Sequence, residues 1–410
     1  MQKWVGLLDC NNFFVSCERL FRPDLRDKPV VVLSSNDGAV VARSKEIKDK
    51  GIPMGVPYFQ IKDIIKDIGA TTFSSHFALY RDISRRVFEA MRKELDTVEQ
   101  YSVDEAFFLL QGEEGTVLEI AKKVKDRVER EVGIPVSVGI ARSKTQAKYA
   151  NTVSKKTTGL YLLTDEDWGV VQKKVRLGEL WGVGLRSAEA FKRHGLTTVE
   201  HLLALERRQV DELFGVAGVR LWQELQGIAS SQITRKSFVK QSILHSRSFK
   251  NTTTDLTVLQ DAVAYHIREA AEDLRAQSQK TKSLQVTLGT SRHGDYFLHG
   301  GRAVRQFDVA TNDTFALLRA GSELLKELYA VGVPYKKAGI LLFNLESDTN
   351  EQLRMFSSTE DEKTKEITPM LDLINKKIGK GSVLVGTHLK SKDWQSAQET
   401  RSPAYTTAWK

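Results

Sequence analysis

Tyr101-Ser-Val-Asp-Glu-Ala-Phe-Phe108 decides how the rest of this chain is read. Two adjacent acids, Asp104 and Glu105, stand inside an apolar, strand-like run, where burying them is costly unless a positive charge neutralises them. A third acid, Asp9, ends the apolar run Trp4-Val-Gly-Leu-Leu8 and opens Asp9-Cys-Asn-Asn-Phe-Phe14. A fold that brings Asp9 beside the pair makes a hard oxygen cage suited to Mg²⁺. That is the equipment of two-metal phosphoryl transfer.

Working outward, residues 98–110 read as two strands with Asp104 and Glu105 at the bend between them. Residues 117–132 have the period of an amphipathic helix, 136–140 of a strand and 144–154 of another helix. Upstream, 4–8 read as a buried strand, 17–21 as the end of a short helix, and 29–33 and 38–42 as two further strands. A helix over 44–50 stops at Gly51, and Ile83, Val87, Met91 and Leu95 line one apolar helix face. This alternation predicts an α+β fold built on a split βαβ, ferredoxin-like sheet, covered by helices on one face.

From about residue 164 the pattern is helical only. Trp181-Gly-Val-Gly184 has the form of a helix-hairpin-helix turn, in which the amides of Gly182 and Gly184 bind a backbone phosphate without reading sequence. Phe214-Gly-Val-Ala-Gly218 is a looser echo. Mixed α and β patterns return from about 240, with helices at 258–275 and 312–329 and strand-like runs at 283–288 and 337–343. After Leu345 a polar linker leads to a tail, 357–410, with one helix at 360–377 and a Ser/Thr/Tyr-rich end not expected to pack tightly.

The 410 residues are too many for one ordinary core. At 41% hydrophobic, with no apolar run near membrane-spanning length, the composition is that of a globular chain and leaves no role as a membrane-embedded protein. The amino terminus reaches a strand at once, so no signal peptide is expected. Cys10 and Cys17 are the two cysteines; they lack the paired spacing of a zinc site, read as reduced core thiols, and point to the cytoplasm. The net charge of +9 suggests a polyanionic partner, and residues 236–345 carry fifteen Lys and Arg against ten Asp and Glu.

The chain resembles the Y-family translesion DNA polymerases, and among them the UmuC-type catalytic subunits of bacterial DNA polymerase V. The resemblance runs from Leu7 to about Phe343, with weaker echoes to 405–407. It rests on Asp9-Cys-Asn-Asn-Phe-Phe-Val-Ser-Cys-Glu18, Phe21-Arg-Pro-Asp-Leu25, Lys28-Pro-Val-Val-Val-Leu33, Asn36-Asp-Gly38, Ala42-Arg-Ser44, Tyr101-Ser-Val-Asp-Glu-Ala106, Val138-Gly-Ile140, Trp181-Gly-Val-Gly184 and Ser246-Arg-Ser-Phe249, in order. It implies a right-hand architecture. The ferredoxin-like palm would span 1–165 with small fingers inserted at about 20–75. A helical thumb carrying the hairpin would span 166–238, an α/β little finger 240–345, and a tail 346–410.

By the same resemblance Asp9, Asp104, Glu105 and the backbone carbonyl of Cys10 hold two Mg²⁺ ions, for which Mn²⁺ substitutes. Phe14, with Phe13 beside it, falls at the steric gate against a ribose 2′-hydroxyl. Arg43, Lys48 and Lys155 align with triphosphate contacts, although Ala42, Lys45 and Lys48 depart from archaeal relatives, which have a hydroxyl, Tyr and Arg there. Gly182, Gly184, Arg247 and Ser248 are implied DNA contacts. Gln352-Leu-Arg-Met-Phe356 resembles the peptide that holds the sliding clamp, with Gln352, Leu353, Met355 and Phe356 as its anchors. Implied partners are primer-template DNA, dNTPs, the clamp, a processed UmuD-type dimer and a recombinase filament. The expected activity is template-directed, error-prone synthesis on damaged DNA. A catalytically silent DNA- and clamp-binding subunit and a two-metal nucleotidyl cyclase are the alternatives. Three retained acids and an aromatic gate weigh against the first, and the hairpin, basic segment and clamp-like peptide against the second.

Overall fold

The computed structural model describes residues 2–234, 239–291, 300–348, 359–379, 381–386, 394–395 and 397–406, side chains of 359–366 apart. The chain forms two compact units, Met1–Ser237 with Glu399–Lys410, and Phe238–Gln398.

In chain order the first unit contains β1 (Lys3–Cys10), α1 (Phe13–Phe21), β2 (Val30–Leu33), β3 (Val40–Arg43), α2 (Lys45–Asp49), α3 (Tyr58–Asp67), β4 (Thr71–Ser74) and α4 (Phe77–Arg92). There follow β5 (Val98–Gln100), β6 (Glu105–Gln111), α5 (Glu114–Val132), β7 (Val136–Ala141), α6 (Lys144–Ser154) and β8 (Leu160–Leu162). Helices α7 (Asp165–Val171), α8 (Leu185–Arg193), α9 (Val199–Leu203) and α10 (Arg207–Leu225) complete it.

The central sheet has the order β5-β6-β1-β7-β8. β1 is antiparallel to both β6 and β7, as a split βαβ requires, and β8 is added parallel to β7. The sheet is covered on both faces, a correction to the one-sided cover expected. Trp4 and Leu8 join Phe108, Val138 and Ile140 against α4 and α5, while Val5 and Leu7 join Phe107 and Ala141 against α6 and the later helices. The unbroken apolar run of β1 is the physical reason, since a strand buried on both faces cannot alternate with polar residues.

A smaller sheet, β3-β2-β4, is inserted between α1 and α4. The carboxyl-terminal segment 399–406 packs against it, which corrects the expectation of a loosely packed end. Ser74 on β4 bridges Arg401 in parallel, and Ser74 N donates to Thr400 O at 3.2 Å. A sheet edge with unpaired amides accepts any extended segment, whatever its side chains.

The second unit contains β9 (Ser242–Thr253), α11 (Leu256–Ala276), β10 (Gln279–Thr290), β11 (Gly300–Thr311), α12 (Thr314–Leu328), β12 (Tyr335–Ser347) and α13 (Thr359–Ile378). Its antiparallel sheet has the order β11-β10-β12-β9. Leu284, Val286, Ile340 and Leu342 face α11 and α12. β12 runs past Leu345 to Ser347, so part of the expected linker is strand; Lys282–Glu346 and Lys280–Asp348 ion pairs hold its polar end.

Candidate active site

Asp9, the penultimate residue of β1, lies directly opposite Glu105, the first residue of β6, so the two carboxylates share one face of the central sheet. Asp9 is 7% exposed. Helix α6 lies across this face and brings two cations. Lys148 Nζ stands 2.6 Å from Glu105 Oε1, and Lys155, just past the helix end, 2.7 Å from Asp9 Oδ2. Their spacing of seven residues is two helical turns, which puts both on one side.

The helix is locked to the sheet. Asn151 Nδ2 donates to Ser137 O at 2.8 Å and to Leu7 O at 3.3 Å. Beneath it Gly139 leaves no room for a side chain, since a Cβ there would lie 2.6 Å from Ala150 C and Asn151 Cα.

Burial, followed by the hydrogen bond shared with Glu105, pushes the Asp9 carboxyl up to about 7, against the pull of Lys155. Burial acts upward on Glu105 as well, but hydrogen bonds from Asp9 and Lys148 outweigh it and hold that carboxyl below its usual range. Asp104 sits at the bend, its Oδ1 accepting from Ser102 Oγ at 2.6 Å, its carbonyl taking the Cys10 amide at 2.9 Å. Among the described residues no three His, Cys, Asp or Glu side chains are gathered as a metal cage. Asp104 turns to Ser102, and the lysines neutralise the other two acids. The donor set nevertheless fits hard divalent ions: all oxygen, two carboxylates facing each other and a third one residue away.

The Cys10 and Cys17 thiols are buried. Burial pushes both far above the ordinary thiol range, with Asp9 and Asp104 adding to the shift at Cys10 and Glu18 to that at Cys17. A thiol closed into the core leaves Cys10 its backbone alone to offer the site.

The aromatic pair divides. Phe13 is 3% exposed and belongs to the core beside Val15 and Cys17, so it leaves the nucleotide-binding set; the phase of α1 turns it inward. Phe14 is half-buried, stacked on Tyr80 at 4.3 Å and edge-on to Phe77 at 5.7 Å. Asn12 precedes α1 in the left-handed conformation (φ +49°), and no side chain caps the helix.

Lys48 Nζ bonds Asn12 Oδ1, and Arg43 donates to Ile52 O. Burial, then repulsion from Arg43 and Lys155, holds Lys48 below the usual lysine range, so the three cations form one cluster beside Asp9. A helix start and such a cluster together attract an anion.

The helical segment differs in detail from the expected hairpin. Before Trp181 stands a single 3₁₀ turn, Leu177–Glu179, in place of a full first helix, whereas the echo at Gly215 (φ +61°) breaks α10 with helix on both sides. Gly182 (φ +84°) and Gly184 lie in the open; among the described residues, chain neighbours aside, no atom comes within 4 Å of a Cβ built on either.

On β9, Ile243 and Phe249 point to the core of the second unit, and Arg247 shares their side, over the rings of Tyr265 and Trp394. Arg247 is therefore not on the bare sheet face with Ser248, because strand neighbours point to opposite sides. That bare face carries Ser246, Ser248 and Lys250 on β9, Lys337 on β12 and Arg302 on β11. Gln352, Leu353, Met355 and Phe356 lie outside the described residues.

Sequence reading missed Lys148, Asn12, Glu18 and Tyr80. The seven-residue spacing of Lys148 and Lys155 was the available signal; the buried pair Glu18–Tyr80 (2.7 Å) offered none.

Among the described residues no helix is long and apolar enough to cross a membrane. Residues 8–152 match the impB/mucB/samB family, residues 240–355 the C-terminal domain of that family, and residues 366–410 a domain of unknown function. SamB of Salmonella typhimurium is 34% identical, covering 98% of this chain and 97% of that protein. UmuC of Salmonella typhimurium is 33% identical over 98% of each. A Y-family DNA polymerase chimera of Dbh and Dpo4 superposes with a TM-score of 0.68 at 20% identity, covering 83% of this chain and 98% of that one. An acid pair on a split βαβ sheet, full-length relatedness to UmuC and SamB, and a Y-family polymerase fold converge: the chain belongs to the impB/mucB/samB family of Y-family, error-prone translesion DNA polymerases.

Proposed function

We propose that Asp9, Asp104 and Glu105 are the catalytic carboxylates of this polymerase and, with the Cys10 carbonyl, hold two Mg²⁺ ions, for which Mn²⁺ substitutes. The observation that carries this is the cross-strand pair Asp9–Glu105, buried beside a cluster of Arg43, Lys48 and Lys155. When bound, the ions lower the pKa of the primer 3′-hydroxyl and neutralise the departing pyrophosphate. Arg43, Lys48 and Lys155 bind the triphosphate, and the uncapped start of α1 offers its amides to the same phosphates. Until the ions arrive, Lys148 pairs with Glu105 and Lys155 with Asp9, offsetting the charge of the buried acids. Phe14 excludes the ribose 2′-hydroxyl by the bulk of its ring.

In this reading the central sheet is the palm, the small sheet the fingers, α7–α10 the thumb and the four-stranded second unit the little finger. Gly182, Gly184 and Ser248 contact the DNA backbone, together with Lys250, Lys337 and Arg302 of the bare face. Gln352, Leu353, Met355 and Phe356 anchor the sliding clamp, and a processed UmuD-type dimer and a recombinase filament act with the enzyme in the SOS response, in the cytoplasm at the nucleoid.

Primer extension on a defined template with Mg²⁺ and dNTPs tests the assignment, with and without an abasic site and a sliding clamp. Template-directed addition is expected to vanish in Asp104→Asn/Glu105→Gln. Undiminished extension by that double variant refutes the metal assignment.

A further inference from the structure

The segment 399–406 lies within the stretch 366–410 matched by a domain of unknown function, and it docks on the two helices that carry and back the Phe14 ring. Its backbone is fixed first. Thr400 N donates to Ser74 Oγ at 3.1 Å, and Glu399 N to Asp37 Oδ2 at 3.0 Å. Its side chains then reach inward. Ser402 is buried, its Oγ 3.0 Å from Nδ1 of the buried His76, which precedes α4. Tyr405 stacks on Phe21 at the end of α1, with centroids 4.5 Å apart and planes 6° from parallel.

Between these anchors lies a buried carboxyl, Glu18 on α1. It accepts the Tyr80 hydroxyl at 2.7 Å; burial raises its pKa, with Tyr80 and then Ser402 acting against that, and among the described residues its Oε2 has no hydrogen-bond partner. Tyr80, on α4, is the ring on which Phe14 lies, 12° from parallel. Contacts run from Ser402 to His76, whose carbonyl accepts the Tyr80 amide at 3.1 Å, and Tyr80, tied to Glu18 through its hydroxyl, lies against Phe14. A buried carboxyl costs stability unless hydrogen bonds or an opposite charge compensate it, and the Tyr80 hydroxyl supplies one such bond.

We propose that the carboxyl-terminal segment is a brace for the sugar-discriminating ring: Ser402, Glu18 and Tyr80 are positioning residues that fix Phe14, so the tail sets the preference for deoxyribonucleotides. The proposal rests on Phe14 being the gate. Loss of the brace lets the stacked pair shift, which admits a 2′-hydroxyl while leaving the acids and the cation cluster in place.

The test compares dCTP and CTP insertion opposite template dG under single-turnover conditions, with thermal unfolding measured in parallel. The variants are Phe14→Ala, Ser402→Ala, Tyr80→Phe, Tyr405→Ala, Tyr405→Phe and a chain ending at Gln398. Phe14→Ala is expected to collapse the dCTP/CTP ratio of kcat/KM. Tyr80→Phe, Tyr405→Ala and the shortened chain are expected to lower it roughly tenfold, about the factor for one hydrogen-bonded contact, through faster CTP insertion. Ser402→Ala should lower it in the same direction, and Tyr405→Phe, which keeps the stacked ring, should match wild type. A merely structural role would lower the unfolding temperature and leave the ratio alone, and that result overturns the brace. Should the shortened chain fail to fold, Tyr80→Phe and Ser402→Ala still decide the question. A ratio unmoved by Phe14→Ala removes the gate itself, a failure distinct from that of the brace and one that takes the brace with it.

Discussion

Replacing Gly139 by Ala tests whether the seat of α6 on β7 holds the face of Asp9 and Glu105 together. The added Cβ would stand 2.6 Å from Ala150 C and Asn151 Cα, both backbone atoms that no rotamer change can move. Reaching an ordinary contact of 3.4 Å requires the helix to lift by about 1 Å. That lift carries the two Asn151 hydrogen bonds, now 2.8 and 3.3 Å, beyond bonding range. Two such bonds contribute ~0.5–1.5 kcal/mol each, and overpacking costs ~1–3 kcal/mol. We expect a loss of about 2–6 kcal/mol in the first unit. Lys148 and Lys155 move with the helix, and a displacement of about 1 Å in a reacting geometry can cost on the order of 100-fold in rate. Urea unfolding and primer extension measure the two effects, with Gly169→Ala on α7, where the added Cβ meets no atom within 4 Å, as the control. Wild-type stability together with wild-type extension in Gly139→Ala would refute the reasoning.

Three further outcomes are expected. Lys48→Ala should raise the KM for dNTPs roughly tenfold with a smaller change in kcat, since a cation beside Arg43 and Lys155 acts on the bound triphosphate; steady-state kinetics check it. His266 in the second unit is held neutral by burial, then by Arg247 and His245, with its pKa pushed down to about 3. Because the unfolded chain binds the proton more tightly, stability is full above the ordinary pKa of 6.5 and falls by ~1.4 kcal/mol per unit as pH drops from there towards 3. Hydrogen exchange of α11 against pH should show that slope, and His266→Leu should flatten it. Trp394→Phe removes the buried bond from Nε1 to Asp261 Oδ2 (2.6 Å), and urea unfolding of the second unit should show a loss of ~1.5–3 kcal/mol.

The acids were legible because two carboxylates inside an apolar hairpin have few structural excuses, and α6 was legible because its period is regular. β9 and β11 were not read as strands. Each has one bare, polar face, and between Ile243 and Phe249 no residue of β9 is buried. Phe13 and Phe14 are identical in sequence, and the phase of α1 separates them. Arg247 and Ser248 look like one phosphate-binding pair until the strand period sends them to opposite faces. The packing of 399–406 rests on one main-chain bond to β4 and on scattered contacts of Thr400, Ser402 and Tyr405, which make no periodic side-chain pattern to read.

Cys10 adjoins Asp9, yet its thiol, like that of Cys17, is closed into the core and held protonated. Attack by peroxide requires an accessible thiolate, so the strand bearing Asp9 carries its sulfur in an inert form. A cysteine introduced on the bare face of the second sheet would be the sole reactive thiol of the folded enzyme, ready for site-specific labelling with both native cysteines left in place.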